Sequence, residues 1–215
     1  GDSSTISLHK SLAKNNQLGD YNYIFASMEY GNLFSTFTKK HECNECFFNW
    51  IKQRKNNVTT IVLVEIHRYV EQSGIYYQNG TPEFRNIDNF ITWIDKLSGI
   101  SNNVIVVEPF PTMIATQMDP KDVLYASNNT LDEIYIPLKG WRQNTTTTLR
   151  LFSKLKDRSN NIHVLEVTDL FCENNSNKCL VYKKPTLFYI DKTHLSIEGG
   201  SLVINKLKKF IKEIE

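Results

Sequence analysis

Two hydrophobic periods alternate along the 215-residue chain. Near-continuous apolar runs rich in β-branched residues stand at 60–66 (TIVLVEI), 103–107 (NVIVV) and 162–167, and an earlier, more mixed run occupies 21–28 (YNYIFASM). Runs of this kind suit strands buried on both faces. Between them the apolar positions recur at helical spacing. Residues 5–14 offer Ile6, Leu8 and Leu12; residues 41–54 offer Phe47, Phe48, Trp50 and Ile51; residues 87–97 and 140–156 follow the same rule. The threonines at 145–148 are poor helix formers inside that last stretch. The closing helix, residues 197–214, places Val203, Leu207, Phe210, Ile211 and Ile214 on one face, with Lys208 and Lys212 away from it and Ser196 as its N-cap. Residues 187–190 read as a short extended approach. Alternation of strand and helix predicts a parallel sheet. The expected architecture is one three-layer α/β/α domain of flavodoxin-like, doubly wound type over residues 1–215. Its first strand is missing, because Gly1 stands where that strand would end, so an apolar strand is expected upstream. Residues 108–139 show no clear period and are expected to form a long loop on the ligand side, suited to act as a lid.

The composition narrows the class. Hydrophobic residues make up 40% of the chain, which suits a packed core, and 25 basic against 23 acidic residues leave a formal charge of +2. That balance supplies no electrostatic case for nucleic acid. No apolar run reaches the roughly 18 residues that a membrane span needs. Four cysteines form two close pairs, Cys43/Cys46 and Cys172/Cys179. Close pairing favours disulfides and an oxidising compartment. Free buried thiols remain open, as does metal or redox chemistry at the Cys43-x-x-Cys46 spacing. Asn-x-Ser/Thr triplets begin at Asn57, Asn79, Asn128, Asn144 and Asn174, yet the chain's 22 asparagines make about three by chance, so the triplets decide little.

Two short motifs carry chemistry. In Gly1-Asp2-Ser3, glycine permits a tight turn out of a strand, and the serine then stands where a helix begins, among backbone N–H groups that could receive an oxyanion. In Asp191-Lys192-Thr193-His194, a spacing of three lets one loop present both an imidazole and the carboxylate that fixes its tautomer. Read singly, the first is an ordinary helix-capping turn and the second a solvated acid beside a surface histidine. Read in a parallel sheet they converge, because Ser3 follows the first strand and Asp191 the last, and both fall at the carboxyl edge where open α/β sheets bind ligands.

Gly1-Asp2-Ser3, taken with Cys172…Cys179 and Phe188-Tyr189-Ile190-Asp191-x-x-His194-Leu195-Ser196, resembles the SGNH/GDSL hydrolase superfamily. More narrowly it resembles the SGNH domain fused behind membrane acyltransferase-3 domains, as in bacterial polysaccharide O-acyltransferases and large nematode families. The resemblance implies a Ser3–His194–Asp191 site and an acyl donor delivered by an acyltransferase-3 membrane domain of the same polypeptide. It also implies a carbohydrate or other hydroxyl acceptor and an extracytoplasmic, membrane-tethered location. No cofactor and no metal are implied. For the oxyanion the family adds a glycine after the second strand, matched loosely by Gly31, and an asparagine after the third. No such asparagine stands here; Arg68-Tyr69 follows the third strand instead, with His67 competing for the role. Three functions follow: O-acyl (acetyl) transfer to a sugar hydroxyl, a free-standing esterase, and a catalytically silent carbohydrate-binding domain. Trp141 and Tyr135, near the long loop, are the candidates for stacking on a sugar.

Overall fold

The computed structural model describes residues 8, 10–11, 42–54, 59–64, 85–113 and 118–215. Element order is α1 (Glu42–Gln53), β1 (Thr60–Leu63), α2 (Arg85–Ser98), β2 (Asn103–Val107), α3 (Pro120–Ala126), β3 (Glu133–Pro137), α4 (Leu138–Asn144), α5 (Thr146–Lys156), β4 (Ile162–Leu165), a 3-10 turn (Thr168–Leu170), β5 (Cys172–Glu173), β6 (Lys178–Lys183), β7 (Thr186–Leu187) and α6 (Ile197–Ile214). The expected strand at 21–28 lies outside the described residues. The elements fall into two compact units, one drawn from residues 28–108 and 145–165, the other from 1–27, 109–144 and 166–215.

The first of these units is the parallel sheet that the apolar runs predict. Its strands lie in the order β1-β2-β4, with Val104 paired to both Ile61 and Ile162. Val104 and Val106 project into a core built with Ile51 of α1, Ile91, Ile94 and Leu97 of α2, and Leu151, Phe152 and Leu155 of α5. Ile105 and Val107, which alternate onto the opposite face, are also fully buried. A central strand sealed on both faces is why NVIVV carries no polar alternation.

The second unit differs from the expectation. It contains an antiparallel sheet, β3-β6-β5 with β7 on β6. Its strands are short and half-exposed, and β3 alternates exposed and buried residues (Glu133 out, Ile134 in, Tyr135 out, Ile136 in). Five residues with this period inside a polar stretch give too weak a signal to stand out from a loop. Residues 108–139 are therefore not one long loop. They hold α3 and β3, and Phe110 and Met113 are buried, so this stretch is anchored rather than lid-like. The helix expected over 140–156 is two helices, divided at Thr145, whose φ of −110° and ψ of 13° end one and begin the other. The extended segment expected at 187–190 is the end of β7 followed by an isolated bridge between Tyr189 and Leu195.

A disulfide joins Cys172 to Cys179, which face each other across β5 and β6. The neighbouring bond from the Leu180 N–H to the Phe171 carbonyl (2.7 Å) leaves the two cysteines at a non-hydrogen-bonded site, where opposed strands come closest. Closing so short a loop removes about 2.5 kcal/mol of unfolded-chain entropy. Cys43 and Cys46 stand on α1; their side chains lie outside the described residues.

The start of α6 is pressed against its surroundings. A Cβ at position 199 would overlap the carbonyl oxygen of Phe188, whereas one at 200 would overlap the Ser11 hydroxyl. Backbone cannot yield, while a serine hydroxyl can turn. Gly199→Ala is therefore expected to cost about 2 kcal/mol or more. Gly200→Ala should cost less, since the gain in helix propensity, about 1 kcal/mol, offsets part of the crowding and of the displaced Ser11 bond. Urea unfolding of the two variants checks the order; equal losses would refute it.

Candidate active site

Asp191, Lys192 and Thr193 form the tip of a tight turn. The Ile190 N–H donates to the His194 carbonyl (2.9 Å) and the Ser196 N–H to the Phe188 carbonyl (2.8 Å), framing the Tyr189–Leu195 bridge. Side chains alternate along both arms. Tyr189 and Leu195 point inward and are fully buried, while Ile190 and His194 take the opposite face, where Ile190 is 43% exposed. The arm is held by aromatic packing: the Phe171 ring, next to the disulfide, lies 5.6 Å from Tyr189 and 6.4 Å from Phe188, centre to centre.

The Asp191 carboxylate organises this turn. Its Oδ1 accepts from the Thr193 N–H (2.7 Å), the His194 N–H (2.8 Å) and the Thr193 hydroxyl (3.1 Å). Its Oδ2 meets His194 Nδ1 at 2.6 Å. In a regular ladder the His194 N–H would return to Ile190; here the carboxylate takes it. Burial pushes the Asp191 carboxyl up, but the Thr193 N–H, the His194 ring, the His194 N–H and the imidazole charge together outweigh it and hold Asp191 below its ordinary 3.8. An ionised partner on Nδ1 fixes the proton there and puts the basic lone pair on Nε2. Thr193 Oγ1 lies 3.1 Å from the same Nδ1.

Two contacts had no signal in the sequence. The Lys192 N–H donates to Asp119 Oδ1 (2.8 Å), and the Lys192 carbonyl accepts from the Met113 N–H (2.8 Å). Asp119-Pro120 looks like a routine helix start, with proline at the first helical position. Asp119 does stand at the N-cap of α3, but its side chain makes no capping bond; it serves Lys192 instead. Ser196 is the N-cap foreseen for α6, accepting from the Gly199 N–H at 3.0 Å.

Of the residues singled out in the sequence, the structure brings Asp191 and His194 together. Ser3, Gly31, His67 and Arg68 lie outside the described residues. Leu8 and Ser11, both described, are buried; the Ser11 hydroxyl donates to the Ile197 carbonyl (3.1 Å), three residues beyond His194. Trp141 is only 5% exposed, so it fills core and presents no face to a sugar; Tyr135 is half-exposed with the Lys178 ammonium 4.5 Å above its ring. His163 of β4 bonds Asn103 through Nε2 (3.2 Å), and burial holds it below the usual histidine range. Among the described residues no cluster of three or more His, Cys, Asp or Glu is arranged to hold a metal ion, and no helix is long and apolar enough to cross a membrane.

The family model of the SGNH domain (fused to AT3 domains) matches residues 1–209. The chain belongs to that family. No curated protein matches it. This SGNH domain accordingly has an α/β fold with a parallel sheet, and the family's chemistry is of the esterase and acyltransferase type.

Because the folded Asp191 holds its charge more firmly than the unfolded chain does, its ionisation stabilises the fold above pH 3.8 and loses that effect as pH falls through the lowered folded value. The stability margin of the protein over Asp191→Asn is thus expected to shrink as pH falls below about 4. Urea unfolding at a series of pH values measures it. A margin that instead disappears between pH 6 and 7 would place the effect on another group.

Proposed function

We propose that the chain acts as a single SGNH domain that transfers an acyl group, acetyl foremost, to a hydroxyl of a carbohydrate or glycoconjugate. In this reading Ser3 is the nucleophile, His194 the general base and acid, and Asp191 the group that orients His194. The observation that carries it is the 2.6 Å contact of Asp191 Oδ2 with His194 Nδ1, in a family match that begins at Gly1-Asp2-Ser3.

The reaction has two halves. His194 Nε2 removes the Ser3 hydroxyl proton as Oγ attacks the acyl carbonyl carbon. The proton passes to the departing donor oxygen, leaving acyl-Ser3. An acceptor hydroxyl then attacks the same carbon, gives its proton to Nε2, and Ser3 Oγ leaves with that proton. Gly31, His67 and Arg68 remain the proposed contributors to the oxyanion or to substrate binding. The acyl donor is supplied by the fused acyltransferase-3 membrane domain, which the family description supports. The disulfide favours the extracytoplasmic side of a membrane.

Ser3→Ala and His194→Ala are each expected to lower kcat/KM by about 10³-fold or more, and the double variant by little beyond either. The measurements are acyl release from an activated ester, and acyl transfer to a sugar acceptor by the protein joined to its membrane domain. Wild-type activity in Ser3→Ala would overturn the site. Ester hydrolysis without transfer, membrane domain present, would replace transferase by esterase.

A further inference from the structure

We infer that Asp119 is a positioning residue for the Asp191–His194 pair, acting through the backbone of Lys192. The inference rests on the reading of that pair as the acid–base machinery.

The turn tip has three residues, and the middle one decides how the outer two face. Two peptide planes meet at Lys192. The plane that joins it to Asp191 carries the N–H held by Asp119 Oδ1 (2.8 Å), and the plane that joins it to Thr193 carries the carbonyl held by the Met113 N–H (2.8 Å). Both planes are thereby fixed from a segment more than 70 residues away in sequence. The first plane sets the backbone angle from which the Asp191 side chain departs. The second also carries the Thr193 N–H, which donates to Asp191 Oδ1. Lys192 itself is exposed and offers no packing of its own to hold the tip.

Helix capping does not use the Asp119 side chain. Aspartate is a strong N-cap because its carboxylate accepts from the first free N–H groups of the helix. At α3 its backbone carbonyl does start the helix, receiving the Asp122 and Val123 N–H groups, yet its side chain leaves the cap unserved. The carboxylate is committed to the turn that carries the imidazole.

The test compares Asp119→Ala with Asp119→Asn in the full chain, since asparagine keeps an acceptor oxygen and alanine does not. Three quantities are read. One is the exchange rate of the Lys192 amide in the unsubstituted protein, expected at least about 10-fold slower than for an exposed amide. The second is the downfield proton resonance of His194 Nδ1 against Asp191. The third is the split of kcat from KM in ester turnover. Asp119→Ala is expected to release the Lys192 amide, weaken the downfield resonance, and lower kcat about 10- to 100-fold with KM within about 2-fold. Asp119→Asn should keep all three close to the unsubstituted protein.

An unprotected Lys192 amide in the unsubstituted protein would overturn the inference without any variant, even should Asp119→Ala fail to fold. So would a folded Asp119→Ala that keeps the resonance and kcat, or an Asp119→Asn as damaged as the alanine variant. The exchange rate and the resonance require no turnover and no Ser3, so an inactive protein, or a Ser3→Ala without effect, leaves this result readable apart from the proposed function.

Discussion

One carboxylate holds the candidate site in shape. Asp191 gathers two backbone N–H groups, a hydroxyl and an imidazole nitrogen within a three-residue turn. So many donors around a partly buried group make the ionised form the stable one, against the tendency of burial. The same bonds give the turn its conformation, so the charge that orients His194 also builds the loop on which His194 stands. Local geometry and proton chemistry cannot be altered separately there.

Around this turn the rigidity comes from longer-range elements. The Cys172–Cys179 bridge fixes a hairpin whose Phe171 packs on Tyr189, the inward-facing residue of the arm that leads to Asp191. On the other arm, Ser196 caps α6 and Gly199 admits the Phe188 carbonyl close to the helix. The turn is thus gripped at both arms by packing and at its tip by Asp119 and Met113. A site carried on a loop gains the precision of a site carried on regular structure when its anchors are of this kind.

Much of this was legible in the chain. The strands at 60–63, 103–107 and 162–165 follow from apolar runs, because a parallel sheet covered on both faces tolerates few polar residues. The Asp191–His194 pair was legible because its partners are three residues apart and a local turn suffices to join them. The antiparallel sheet was not. Its strands are two to six residues long, each exposes one face, and their pairing brings 133–137 against 178–183; no short window contains that information. Asp119 was hidden for a related reason. A local rule, the helix cap, accounts for Asp-Pro completely, and only the fold shows that the side chain goes elsewhere. The strand at 60–63 ends earlier than its apolar run, which continues to residue 66 beyond the described stretch.

The two glycines at the head of α6 meet different obstacles, and this separates what a substitution at each would require. Position 199 faces a main-chain oxygen, which every amino acid at 188 would supply, so no replacement elsewhere can open room for a side chain there. Position 200 faces the side chain of Ser11, so the room for a side chain there depends on what stands at position 11. The obstacle at 199 is main chain; the obstacle at 200 is a side chain that a change at position 11 would remove.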